Sequence, residues 1–270
     1  MRDRELARTF GTLLARVRVE RPLIHHLTNP VVMNDTANLT LLIGALPVMA
    51  RAREEVADMV NSAGALVLNL GVADPELIEA MLVAGRRANE RGIPVVLDPV
   101  GAGATPYRTA IGLRLLRELK VALVRGNAGE IGMLSGAGGA VKGVESIAGP
   151  PDPAAAGDAA RRWATVVAMT GERDIIADGE RTLAVDNGHP WLTRVVGTGC
   201  MATSVAAAFA AVEPDALIAA AAGLAGFGLA AEVAAREATG PASFKVALFD
   251  AVYGLTPEQL EAGARAAWLT

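Results

Sequence analysis

The sequence predicts an α/β fold in which a mostly parallel central sheet is flanked by helices on both faces. Short β-type runs, Leu46 to Met49, Ala65 to Leu70, Pro94 to Val100, Val121 to Arg125 and Thr165 to Met169, recur with helical segments between them. That alternation builds βαβ units whose strands run parallel. Within the runs, Leu66-Val67-Leu68 and Val95-Val96-Leu97 are apolar at consecutive positions, as strands covered on both faces must be.

Met1 to Glu20 mixes Arg2, Asp3, Arg4, Glu5, Arg8, Arg16 and Arg18 with apolar residues. It reads as an amphipathic helix, because a secretory leader needs a continuous apolar segment. His25 and His26 fall on a strand, where adjacent side chains point to opposite faces, which argues against a shared zinc ion. Asn29 before Pro30 marks a turn at a strand-to-helix junction, with an amide available to cap or to meet a ligand. Asp74-Pro75 supplies a cap and a first-turn proline for a helix with Ile78, Met81, Leu82 and Gly85 on one face, ending near Gly92. Gly136 to Asp158, with Pro150-Pro151 and several glycines, is expected to be a surface loop. Ile175 to Asp178 and Arg181 to Val185 flank Gly179-Glu180 as a hairpin that adds antiparallel strands. From Gly199 the chain should be almost all helix. Its uncharged stretch from Ala216 to Ala231 falls short of the roughly 20 residues of a membrane span and reads as an interior helix.

Of the 270 residues, 52% are hydrophobic, enough for a large core without disulfides or metal staples, and one domain over 1–270 is expected. With 25 Lys and Arg against 29 Asp and Glu the net charge is −4, and no basic stretch is interleaved with aromatics. Nucleic acid is a poor partner for such a surface. Cys200 is the sole cysteine, which favours a reducing compartment, the cytoplasm, and no membrane association is expected.

In open α/β sheets ligands bind beyond the carboxyl ends of the strands. The polar residues placed there are Asn69-Leu70-Gly71, Asp98-Pro99-Val100-Gly101, Arg125-Gly126-Asn127 with Glu130, and Thr170-Gly171-Glu172. Gly197-Thr198-Gly199-Cys200-Met201 precedes an Ala-rich helix, so its backbone N–H groups can converge on a phosphoryl group; tight packing is the alternative. It is not a Walker A loop, since no Gly-Lys-Ser/Thr follows. Asp98 and Glu130 suit a hydrated Mg²⁺ ion, or else a turn cap and an exposed acid. Arg125 suits phosphate or a surface ion pair. Met49 is by default a core thioether.

Read together, Ile24 to Asn29, Asn34 to Asn38, Pro47 to Ala50, Gly92 to Ala104, Arg125 to Glu130, Asn187 to Pro190 and Gly197 to Met201 closely resemble hydroxyethylthiazole kinases of the ribokinase-like superfamily. The resemblance continues to Lys245. It implies a ribokinase-like domain that uses ATP and Mg²⁺ to phosphorylate the hydroxyl of 4-methyl-5-(2-hydroxyethyl)thiazole in thiamine salvage, and a homotrimer with active sites between subunits. By the same resemblance, Met49 and Gly197 contact the thiazole and Asn29 and Gly71 help form its pocket. Arg125 and Thr170 bind ATP, Asp98 and Glu130 organise Mg²⁺, and Gly197, Thr198, Gly199 and Cys200 form the anion hole. Gly129 departs from the Asn-Ala-Ser-Glu form of the motif, which puts the setting of Glu130 in question. A hydroxymethylpyrimidine kinase or an ATP-dependent nicotinamide-hydrate dehydratase would carry Asp in place of Cys200. A non-catalytic sensor of thiazole or nucleotide would have no need of Asp98, Arg125, Glu130 and the complete glycine turn.

Overall fold

The computed structural model describes residues 3–137, 141–142, 145–146 and 149–269. Along the chain these form α1 (Asp3–Glu20), β1 (Leu23–Leu27), α2 (Met33–Ile43), β2 (Leu46–Val48), α3 (Val56–Val60), β3 (Ala65–Asn69), α4 (Pro75–Arg91), β4 (Val95–Asp98), α5 (Pro106–Glu118), β5 (Leu123–Asn127) and α6 (Ala128–Ser135). A small pair, β6 (Val141–Lys142) and β7 (Glu145–Ser146), precedes α7 (Pro153–Trp163), β8 (Val166–Thr170), β9 (Asp174–Ala177) and β10 (Thr182–Val185). A 3-10 turn (Pro190–Arg194), α8 (Thr198–Ala210), α9 (Ala216–Glu237), α10 (Pro241–Gly254), α11 (Pro257–Gly263) and β11 (Ala266–Leu269) complete the order.

The main sheet runs β11-β10-β9-β8-β5-β4-β3-β1-β2. From β2 to β8 every pairing is parallel, and β9, β10 and β11 add antiparallel strands at one side. The chain leaves β1 for β2 on one side and then crosses to β3 on the other. This reversal puts a crevice at the carboxyl ends of β1 and β3, where an open sheet binds ligands.

Alternate residues of the same strands enter two separate apolar layers. Ala65, Val67, Val96 and Leu123 pack with α1, α2, α8 and α9 residues such as Phe10, Leu39, Phe209 and Leu224. Leu66, Leu68, Val95, Leu97 and Val124 pack with α4 to α7 residues such as Met81, Leu115, Ile131 and Ala159. Consecutive apolar residues in a strand thus serve both faces, as the sequence pattern requires. Helix α4 is set by Asp74, whose Oδ1 accepts from Leu77 N at 2.8 Å, and ends at Gly92 with φ 68°.

One expectation needs correction and two gain detail. The loop expected over 136–158 ends early, because Asp152 caps α7 by accepting from Ala154 N and Ala155 N and Pro153 takes the first helical position; its residues 138–140, 143, 144, 147 and 148 lie outside the described ones. The C-terminal region is almost all helix, as expected, apart from β11, which pairs antiparallel with β10 and brings Trp268 opposite Leu183. Finally, α9 has 22 residues, and its 18-residue apolar window has a mean hydropathy of 1.8, so by length and composition it could cross a membrane, but 83% of that window is buried inside the fold. Its small residues let it approach α8 closely: a Cβ on Gly223 would lie 2.8 Å from Ala206 Cα. That is the packed interior helix the Ala- and Gly-rich composition calls for.

Candidate active site

The strand ends of the crevice are joined by a buried chain of amides and a carboxylate. Asn29 follows β1, Asn69 ends β3 and Asp98 ends β4. Asn29 Nδ2 donates to Asn69 Oδ1 at 2.7 Å, and Asn69 Nδ2 donates to Asp98 Oδ2 at 2.9 Å. From α8, Thr203 Oγ1 donates to the same Asp98 oxygen at 2.8 Å. With Oδ2 held from two sides, Asp98 Oδ1 is buried without a hydrogen bond, and Arg125 Nη1 stands 4.0 Å from it. Burial raises the Asp98 pKa, and the Arg125 charge and these donors only partly offset it.

Glu130 sits in the first turn of α6. Its Oε2 accepts from Asn127 N at 2.9 Å while Asn127 Oδ1 accepts from Glu130 N, a reciprocal cap. Its Oε1 accepts from Gly101 N in the β4 loop at 2.7 Å. These contacts fix Glu130 without a hydroxyl at Gly129, which answers the question raised by that departure from the motif. Burial and the Asp98 charge push its pKa up to about 7.

Helix α8 starts at Thr198 after Gly197, whose φ of 89° places it in the left-handed region. A side chain there would be strained, and its Cβ would lie 2.5 Å from Val32 Cγ1. Thr198 Oγ1 anchors the turn to the preceding 3-10 segment by donating to Leu192 O at 2.6 Å. The first-turn N–H groups of α8 lack intrahelical acceptors and open toward the rim. Arg125 lies against this turn, since a Cβ on Gly199 would sit 2.6 Å from its Nη1. Cys200 is half-buried, and desolvation followed by the Asp98 charge pushes its thiol up to about 12. The helix N-terminus therefore does not make it a thiolate at neutral pH.

Thr170 ends β8 beside β5, with Oγ1 3.4 Å from Gly126 O, and the turn after it is held by Gly171 N donating to Asp174 Oδ1 at 3.0 Å. Gly71 follows β3 and packs on Asn29 so closely that a Cβ would fall 2.2 Å from Asn29 Nδ2. Met49 follows the edge strand β2 at the same end and is half-buried rather than part of the core. His25 Nε2 donates to Ala50 O at 2.7 Å behind that segment, whereas His26 faces Thr40 of α2 and burial pushes its pKa down to about 3.

The sequence-derived candidates thus share one rim: Asn29, Gly71, Asp98, Arg125 and Gly199 are linked by direct or single-residue contacts, and Glu130 is tied to the loops beside them through Gly101 and Asn127. The sequence places Asn69 on the rim without giving it a role, and its motifs do not point to Thr203 or Asp174. Thr203 had a legible signal: it lies four residues after Gly199, on the same helix face.

A Gly-turn helix start facing a guanidinium and two buried carboxylates is equipment for phosphoryl transfer. Residues 14–258 match the model of the hydroxyethylthiazole kinase family. The chain belongs to that family. Hydroxyethylthiazole kinase of Roseiflexus sp. (strain RS-1) is 68% identical, covering 95% of both chains, and that of Desulforudis audaxviator (strain MP104C) is 65% identical, covering 97% of this chain and 96% of the relative. A solved hydroxyethylthiazole kinase structure from Pyrococcus horikoshii OT3 superposes with a TM-score of 0.89 at 42% identity, covering 97% and 99% of the two chains. The pyridoxal kinase of Staphylococcus aureus, solved in complex with ADP, has a TM-score of 0.55 at 15% identity over 78% of this chain and 87% of its own, and shares the fold alone. The activity is that of a hydroxyethylthiazole kinase, an ATP-using phosphotransferase whose acceptor is the thiazole alcohol.

Proposed function

We propose that the crevice at the ends of β1, β3 and β4 is where this phosphoryl transfer takes place. The thiazole lies against Asn29, Met49, Gly71 and Gly197, and the ATP phosphates against Arg125 and Thr170. The observation that carries the reading is Asp98: its Oδ2 is fixed by Asn69 and Thr203, while its Oδ1 is buried, has no hydrogen bond and faces Arg125 Nη1 at 4.0 Å.

That oxygen suits Mg²⁺, a hard cation that accepts one or two carboxylates with water and phosphate oxygens. Among the described residues no group of three or more His, Cys, Asp or Glu could hold a metal ion, which fits an ion bound with the nucleotide rather than in a protein cage. Asp98 would hold it directly, with Glu130 adding charge beside it. When bound, the ion offsets charge on the phosphate oxygens. The protein's own part is positioning. Asn29 and Gly71 orient the acceptor, Arg125 meets phosphate charge, and the N–H groups of Gly197 to Cys200 face the migrating phosphoryl group.

A thiol at about 12 is neutral across the working range and is not the general base. In a loose transition state the acceptor proton leaves late, so none is essential. Cys200→Ser is therefore expected to stay within about tenfold of the parent, below the range of a lost general base, with an unchanged pH–rate profile between pH 6 and 9. An inflection near pH 8 to 9 in the parent that vanishes in the Ser variant would assign the thiolate a role after all.

Self-association places a second subunit at this site. Val31 and Val196, 66% and 75% exposed, flank the Gly197 turn, beside a shallow groove of about 440 Å³ lined by Asp35, Arg194 and Lys245. Such apolar exposure next to a substrate crevice supports the homotrimer with shared sites. Light scattering that finds a fully active monomer would remove it. One sheet serving both apolar layers supports a single domain, and a lone cysteine with an ATP requirement supports the cytoplasm. Coupled ADP release with hydroxyethylthiazole, hydroxymethylpyrimidine, pyridoxal and ribose tests the acceptor: the thiazole should dominate, and turnover of the pyrimidine without the thiazole would overturn the reading.

A further inference from the structure

Arg108 stands in the first turn of α5, outside the residues named above, and its guanidinium is spent entirely on main chain. Its Nη1 donates to Leu70 O at 2.7 Å and to Val100 O at 2.9 Å, and its Nη2 donates to Gly71 O at 2.9 Å. These three carbonyls belong to the loops that leave β3 and β4. The backbone bond from Leu70 N to Asp98 O, at 3.0 Å, joins the two strands at this end. Beyond it the loops diverge, and their carbonyls need donors from elsewhere. Arg108 supplies three at once, in the planar fork that only a guanidinium offers.

The side chain also crosses Gly101, whose φ is 75° and whose Cβ would fall 3.2 Å from Arg108 Cδ. Gly101 N is the donor that holds Glu130 Oε1. One side chain therefore bonds the loops that follow Asn69 and Asp98 and packs against Gly101, whose amide fixes Glu130. Arg108 donates to backbone carbonyls of these loops, so it works through geometry.

We propose that Arg108 is a positioning residue for phosphoryl transfer, a cross-strand tie that holds the thiazole-side loop and the carboxylate-side loop in one register without touching either substrate. The inference rests on the crevice being the site of transfer. Arg108→Ala is expected to lower kcat about 30-fold and to raise the thiazole KM several-fold, as loosened reacting geometry does. The ATP KM should stay within about threefold, because Arg125 and Thr170 on β5 and β8 are untouched. Methylguanidine in the assay should restore at least about fivefold of the lost kcat by refilling the fork, and methylammonium, with no planar fork, should not. Unchanged kinetics would overturn the proposal, as would an equal rise in both KM values with a lower melting temperature and no rescue. If the Ala variant does not fold, Arg108→Lys should show the same kinetic split, and parent-like kinetics in a folded Lys variant would overturn the proposal. Asp98→Asn assayed alongside separates the two failures. Full activity there removes the crevice assignment itself, whereas an impaired Asp98→Asn beside a normal Arg108→Ala removes only the role of Arg108.

Discussion

Asp98→Asn is expected to make the protein more stable and nearly inactive. The amide oxygen can take the place of Oδ2 and accept from Asn69 and Thr203, while its NH₂ replaces the buried oxygen that has no hydrogen bond. No hydrogen bond is lost and a desolvated charge disappears. The sign follows from the raised Asp98 pKa: folding favours the neutral acid over the carboxylate, and Asn is the shape of the neutral acid. The melting temperature should rise by less than relief of desolvation alone would give, because Arg125 loses the carboxylate 4.0 Å from its Nη1. The same change removes the negative charge that faces Arg125 and the phosphates, and should cost kcat about 10²- to 10³-fold, the scale of one preorganised electrostatic group. Thermal denaturation and ADP release titrated with Mg²⁺ check both halves. Parent-like Mg²⁺ dependence with kcat within threefold would exclude Asp98 from the chemistry.

Glu130 adds a pH signature to that result. Its pKa is about 7 in the fold against 4.5 for an ordinary glutamate, so the folded state binds its proton more tightly than the unfolded one. The associated stability is fully present below pH 4.5 and is lost as the pH rises through about 7, on the order of 3 kcal/mol for such a difference. In EDTA, the melting temperature should fall over that interval. The Asp98 charge is the second cause of the Glu130 shift, so Asp98→Asn should move the fall to lower pH. A parent whose melting temperature rises steadily from pH 4.5 to 8 would contradict the coupling.

Sheet, helical layers and rim were legible because apolar periodicity and turn residues report local structure directly. Leu66-Val67-Leu68 announced a strand with two covered faces, and Asp74-Pro75 announced a helix start that the hydrogen bond to Leu77 N bears out. What escaped was non-local. Ala266-Ala267-Trp268-Leu269 is a strand only because β10 offers it an edge, and four residues after a helix carry no periodicity to show it. Pro150-Pro151 looked like loop through Asp158, yet Asp152-Pro153 has the same cap-and-proline grammar as Asp74-Pro75 and starts α7. In the site, residues with distinctive chemistry stood out from their strand-end positions. The roles of those that orient them, Asn69 and Thr203, are not written in their positions, because they come from what the fold sets opposite them.

Gly199→Ala tests the contact that joins the glycine turn to the nucleotide side. A Cβ there would lie 2.6 Å from Arg125 Nη1, 3.2 Å from Nη2 and 3.3 Å from Cζ, so the guanidinium rests against the glycine. Arg125 is only 14% exposed and stands between that turn and Asp98, which leaves it little room to retreat. The added methyl should push it off the phosphate position while leaving the charge and the helix in place. Alanine favours a helical first turn, so the melting temperature should hold. The expected loss in kcat/KM for ATP is about 10- to 100-fold, matching a charge-assisted contact of about 1.5 to 3 kcal/mol. Arg125→Ala should lose a similar amount, with thiazole binding by calorimetry much less affected. The decisive variant is the double one. With the guanidinium gone, the methyl introduced at Gly199 has nothing to displace, so Gly199→Ala in the Arg125→Ala background should cost less than about threefold, the non-additivity expected of residues in contact. Losses that multiply in the double variant would mean that the glycine acts on the phosphoryl group through its own backbone and independently of Arg125.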